Sequence, residues 1–88
     1  MKIEFLSGFE KDLSQTRDKR LAKIILECIG LFENASKLKD IPNIKQLKGH
    51  PSAYRFRKGK YRIGFYLEDD IVVFAAFDNR DKIYLRFP

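Results

Sequence analysis

The chain predicts an α+β fold in which an N-terminal helical hairpin packs on one face of an antiparallel sheet. Three observations predict it. A wide apolar stripe, Leu21, Ile24, Ile25, Cys28, Leu31 and Phe32, recurs at helical spacing. Alternating apolar and polar residues separated by turn signals fill 53–78. The helical segments come first and most strands follow as a run, which is the α+β order. With 88 residues, 44% of them apolar, residues 1–88 form a single domain with a small core.

Each element has its own reason. Lys2-Ile3-Glu4-Phe5-Leu6 opens with polar/apolar alternation and reads as a first strand. Ser7-Gly8-Phe9-Glu10 matches a capping box, and Phe9 and Leu13 share one helical face. Asp18 caps a second helix that ends near Asn34 and Ser36, before Pro42. The polar break at Thr16-Arg17 folds the two helices back on each other. Ile41 to Pro51 is a connector with Pro42, Gly49 and Pro51 as breakers.

Three strands follow, Ala53 to Lys58, Lys60 to Leu67 and Ile71 to Asp78. Lys58-Gly59 makes the first turn, since glycine tolerates positive φ, and Glu68-Asp69-Asp70 makes the second. Ile83 to Phe87 leaves room for a short last strand, giving the order β-α-α-β-β-β(-β). No run is long enough to span a bilayer, and Glu4, Glu10 and Asp12 interrupt any signal-peptide pattern. A cytoplasmic protein with no membrane partner is expected. Cys28, the lone cysteine, excludes an internal disulfide and reads as core.

Charge points to function. The net charge is +6, and the excess is local. No Asp or Glu occurs from Ile41 to Leu67, where Lys45, Lys48, Arg55, Arg57, Lys58, Lys60 and Arg62 all fall. A solvating face normally mixes signs, so an acid-free stretch suits a polyanion, with nucleic-acid phosphate the commonest. Side chains alternate along strands, so Arg55, Arg57 and Arg62 share the face opposite Tyr54, Phe56, Tyr61 and Ile63. Clustered guanidiniums become favourable when a phosphate sits among them. Gly64 beside them would let a ligand backbone approach the sheet. The same parity puts Val72, Phe74, Ala76, Asp78 and Arg80 on one face and Ile71, Val73, Ala75 and Phe77 on the other. Arg80 completes a cationic pocket, and Tyr84 and Phe87 offer aromatic rings for base stacking. His50, the only histidine, reads as a solvated loop residue.

Leu47-Lys48-Gly49, Tyr54-Arg55-Phe56-Arg57, Tyr61-Arg62-Ile63, Asn79-Arg80 and Ile83-Tyr84, in this order, resemble the RelE/ParE superfamily of type II toxins. Phe9-Glu10-Lys11-Asp12-Leu13 fits the same pattern, so the resemblance spans nearly the whole chain. It implies a toxin held inactive by a cognate antitoxin protein. In the RelE branch it implies an mRNA interferase, an endoribonuclease acting on mRNA in the ribosomal A site. Cleavage there uses the RNA 2′-hydroxyl and needs no metal or other cofactor. Carried over singly, the catalytic positions fall on Arg55, Arg57, Arg62, Arg80 and Tyr84. Lys48, Lys58, Lys60 and Phe87 are then RNA-binding. Arg55 and Arg57 stand where RelE carries lysines, and an arginine stays protonated, so the general base is left open. Asn79 replaces a histidine many relatives carry. Two alternatives stand beside this one, a ParE-like inhibitor of DNA gyrase and a non-catalytic RNA-binding module.

Overall fold

The computed structural model describes residues 1–88. Strand β1 (Lys2–Phe5) leads into helices α1 (Ser7–Gln15) and α2 (Lys19–Asn34). A single 3-10 turn, Leu38–Asp40, follows. Strands β2 (Ile44–Gln46), β3 (Ala53–Lys58), β4 (Tyr61–Glu68) and β5 (Ile71–Asn79) come next, then a one-turn helix α3 (Ile83–Arg86). The five strands lie in the order β1-β5-β4-β3-β2. The α+β arrangement read from the sequence is the one observed, with β2–β3, β3–β4 and β4–β5 antiparallel. One edge differs. The helical pair and the intervening strands return the chain so that β1 lies parallel to β5.

Asp18 caps α2 as expected, accepting from the backbone N–H groups of Arg20 at 2.9 Å and Leu21 at 3.2 Å. The capping box at Ser7 does not form. Leu6 occupies the cap position, and its carbonyl accepts from the amides of Phe9 and Glu10. Ser7 is thus already inside the first turn, where its hydroxyl cannot reach the free amides. The expected connector contains one short strand, β2, which pairs three residues with β3.

The Asp69-Asp70 turn falls where the sequence placed it, and the first turn falls one residue later than expected, at Gly59-Lys60, because Lys58 still pairs with Tyr61. Gly59 has φ +58°, and Asp69 and Asp70 have φ +51° and +64°. Two successive positive-φ residues are what a two-residue hairpin with the sheet's twist requires, and aspartate tolerates that region better than most side chains. The final segment is helical rather than extended. Ile83 and Phe87 point inward four residues apart, while Leu85 is 85% exposed, so the apolar period is that of a helix. The Phe87 amide closes the turn on the Ile83 carbonyl at 2.8 Å.

Helices α1 and α2 cover one face of the sheet. There Phe9, Ile25, Cys28, Ile29, Phe32, Phe56, Ile63, Phe65, Val72, Phe74 and Phe77 form the main core. Phe32 sits at its centre, meeting Phe56, Phe65 and Phe74 edge-on with ring centroids 5.1–5.5 Å apart. A smaller core of Ala53, Ala76, Ile83 and Phe87 lies on the other face, under α3. The pairing of β4 with β5 shifts between Gly64 and Phe65, where Gly64 faces Ala76 but Phe65 faces Phe74. Ala75 is therefore an extra residue, a β-bulge. It corrects the parity read from the sequence. Phe74 and Phe77 both reach the main core, while Ala76 and Asp78 face the other way.

Candidate nucleic-acid interface

The site is the sheet face opposite α1 and α2. Strand β3 sends Tyr54 and Phe56 into the main core, so Arg55 and Arg57 emerge on the other side. Strand β4 buries Ile63 and Phe65 and presents Arg62, Gly64 and Tyr66. Register then fixes who stands beside whom. Arg57 pairs with Arg62, and Arg62 with Asp78, so these three form one cross-strand row. The next row runs Lys45, Arg55, Gly64, Ala76.

Like charges directly opposite on a sheet repel, so each guanidinium is steadied by a neutral acceptor. Arg55 Nη1 donates to the Asn43 carbonyl at 3.0 Å, and Arg57 Nη2 donates to Asn43 Oδ1 at 3.2 Å. Asn43 holds this position with φ +64°, a conformation asparagine adopts more readily than most residues. Arg62 Nη1 donates to the carbonyls of Gly59 at 2.8 Å and Tyr61 at 2.9 Å. None of the three is paired with a carboxylate. The ion pairs of the molecule are Arg80 with Asp81, and Arg86 with Asp12 and Asp78. The face therefore carries uncompensated positive charge at close quarters.

The remaining predicted residues spread outward from this centre. Lys58 and Lys60 flank the β3–β4 turn, with Lys60 Nζ 5.5 Å from the Tyr61 ring centroid. Lys58 is a correction: it shares the parity of Tyr54 and Phe56, so it lies on the α2 side of the sheet beside Asp18, Arg20 and Leu21 rather than with the arginine row. The Arg80 amide donates to the Lys60 carbonyl at 2.9 Å, which sets Arg80 beside the same turn. Its side chain is 70% exposed, and Nε lies 3.8 Å from Asp81 Oδ1, a loose surface pair. Lys48 sits in the exposed loop before β3, at the end of that strand opposite the β3–β4 turn. Tyr84 is 51% exposed on α3. His50 is an exposed loop residue, as read from the sequence.

Phe87 is a correction. It is 2% exposed, in the smaller core, with its ring centroid 5.0 Å from that of Tyr66. A ring so enclosed offers no face to a base. Gly64 explains its seat, since a Cβ there would lie 2.5 Å from Phe87 Cγ. The close approach that Gly64 permits is taken by the protein's own C-terminal segment.

Two residues on this face were not singled out from the sequence as site residues. Lys45 joins the Arg55 row through the short β2 pairing, and the acid-free stretch containing it was the available signal. Arg86 had no signal, because its partner Asp12 lies far away in the chain. Arg86 Nη1 also donates to the Phe77 carbonyl at 3.3 Å and to Asp78 Oδ2 at 3.2 Å. The hydrogen bond to Asp12 raises the Arg86 pKa above its ordinary value, partial burial opposes it, and Asp78 adds to the rise.

No protein-family model matches the chain. It is 38% identical over 92 residues to Toxin RelE3 of Methanocaldococcus jannaschii, with all of both chains covered. It superimposes with a TM-score of 0.76 on a chain of the RelB-RelE antitoxin-toxin complex from Methanococcus jannaschii, at 34% identity, covering 97% of this chain and 99% of that one. A chain of the toxin-antitoxin complex RelBE2 from Mycobacterium tuberculosis shares the fold at 21% identity and a TM-score of 0.67, with 90% and 96% covered. With full-length similarity to a RelE toxin and a matching fold, the chain belongs to the RelE family of toxins of type II toxin-antitoxin systems.

Proposed function

We propose that this toxin is an mRNA endonuclease acting in the ribosomal A site, and that the open sheet face is where RNA is cut. The observation that carries the reading is the row of guanidiniums without carboxylate partners, Arg57 and Arg62 with Arg55 behind them. In the reaction the RNA 2′-hydroxyl loses its proton and attacks the adjacent phosphorus. The 5′-oxygen leaves with a proton, and a 2′,3′-cyclic phosphate remains. The pentavalent transition state carries more negative charge than the diester. Fixed cations aimed at it bind it more tightly than the ground state.

Arg57 and Arg62 take that role. Arg80, at the end of β5, stabilises the leaving 5′-oxygen. Tyr84 orients the nucleotide, and Arg55, Lys48 and Lys60 hold the flanking phosphates. Arginines do not give up protons near neutral pH, so these residues act by charge and position rather than as the base. No cofactor enters the scheme. A cognate antitoxin with an acidic or amphipathic segment is the proposed protein partner, covering the basic face, the helical pair or both. The two solved structures named above are toxin-antitoxin complexes.

Controlled induction followed by mapping of mRNA 5′ ends tests the reading. Native protein should halt translation with message cut inside codons, and Arg62→Ala or Arg80→Ala should abolish cutting while the protein still folds. Full cutting by both variants refutes the assignment. Gyrase-linked DNA breaks scored in parallel provide the control. The relatives lend the gyrase alternative no support, and breaks with intact message would revive it.

A further inference from the structure

Asp78 is the one acid in the basic row. It stands directly opposite Arg62 in the β4–β5 pairing, where facing Cβ atoms are about 4.5–5.5 Å apart. At that spacing an aspartate and an arginine ordinarily pair, yet here they do not. Asp78 Oδ1 accepts from the Asn79 amide at 2.8 Å, and Oδ2 accepts from Arg86 at 3.2 Å. Arg62 turns instead to the backbone carbonyls of Gly59 and Tyr61.

The topology lets Arg86 do this. Strand β1 pairs with β5 only as far as Phe74, and the last bond on that side is from the Leu6 amide to the Phe74 carbonyl at 2.9 Å. Beyond Phe74 that edge of β5 is open. Arg86 reaches it from α3, where it binds the Phe77 carbonyl, Asp78, and Asp12 of α1. One guanidinium has enough donors, in a planar fork, to serve all three.

We infer that Arg86 is a positioning residue for the basic face: by holding Asp78 at the open edge of β5 it keeps that carboxylate off Arg62, so that Arg62 stays free for RNA phosphate. The inference rests on the reading that Arg62 engages RNA. A purely anchoring Arg86, fastening the C-terminal segment, would behave differently. Anchoring would be lost equally with Asp12 or Arg86, and removing the Asp78 charge would repair nothing.

The test uses the full chain as native protein and as Arg86→Ala, Arg86→Ala with Asp78→Asn, Asp12→Asn, and Arg62→Ala. Binding of a short single-stranded RNA oligonucleotide is followed against salt, and message cleavage is followed in a translating extract. Arg86→Ala should bind about fivefold more weakly, with a salt slope lower by about one phosphate contact. Adding Asp78→Asn should restore binding, slope and cleavage to within about twofold of native. Asp12→Asn should leave all three unchanged. Should Arg86→Ala not fold, Arg86→Gln, which can still donate to the Phe77 carbonyl, replaces it with the same expectations. Native behaviour of the Arg86 variant, or a double variant no better than the single one, overturns the inference. If Arg62→Ala itself binds and cuts like native protein, the underlying reading fails and the inference falls with it. A defective Arg62→Ala beside an unrescued Arg86 variant overturns the inference alone.

Discussion

Replacing Gly64 with alanine should destabilise the protein through one contact. The added Cβ would sit 2.5 Å from Phe87 Cγ, where ordinary van der Waals contact begins near 3.4 Å. The backbone at Gly64 is unstrained, so the conflict is steric alone. Two responses are open. The sheet and ring can shift, which costs about 1–3 kcal/mol as overpacking does. Alternatively Phe87 leaves its seat among Ala53, Ala76 and Ile83, which forfeits about 2–3 kcal/mol of side-chain burial. The edge-on contact with Tyr66 adds about 0.5–1.5 kcal/mol to that loss. A cost of about 2 kcal/mol follows, or a fall of roughly 8–16 °C in melting temperature for a domain of this size. Urea unfolding measures it. The second route also predicts non-additivity, in that Phe87→Ala should cost less in the Gly64→Ala background than in native protein. A change below about 0.5 kcal/mol on Gly64→Ala would refute the packing described for this face.

Three further outcomes are expected. Phe32→Ala should cost about 3–5 kcal/mol in urea unfolding, because Phe32 is fully buried and touches three aromatic rings. Asp18→Ala should cost about 1 kcal/mol, since it frees the Arg20 and Leu21 amides at the start of α2, and Asp18→Asn should recover most of that. Burial raises the Cys28 pKa above its ordinary 9.0, with Glu27 adding to the rise and Lys58 opposing it. A thiol held neutral by the fold contributes stability that is complete below pH 9.0 and is lost as pH rises from there through the folded-state value. Alkylation of Cys28 near pH 8 should accordingly be much slower in native protein than in urea, and equal rates would contradict its place in the core.

Much of the arrangement was legible in the chain because local chemistry and burial agreed. The α2 stripe, the Asp18 cap, the Gly59 turn and the Asp69-Asp70 turn each follow from residue type alone. The cation-bearing face followed from strand parity on β3 and β4, which no bulge disturbs up to Gly64. What stayed hidden depends on distant partners. The parallel seat of β1 is decided by β5, so its own four residues do not encode it. The bulge at Ala75 depends on Phe74 and Phe77 competing for the same core. The C-terminal segment alternates by composition, yet Ile83 and Phe87 turn inward together, with Phe87 seated against Gly64 of β4. Arg86 meets an acid from α1 and another from β5, which no spacing along the chain announces.

The sharpest test of the arginine row is single-turnover cleavage of A-site message on programmed ribosomes by native protein and by the Arg57→Ala/Arg62→Ala pair. The two arginines lie on exposed or half-exposed strand positions, so the paired variant should fold like native protein. The paired variant should cut roughly 100- to 1,000-fold or more slowly, the scale of removing charges fixed on a transition state. Cutting by the paired variant at the native rate would contradict that role for the row.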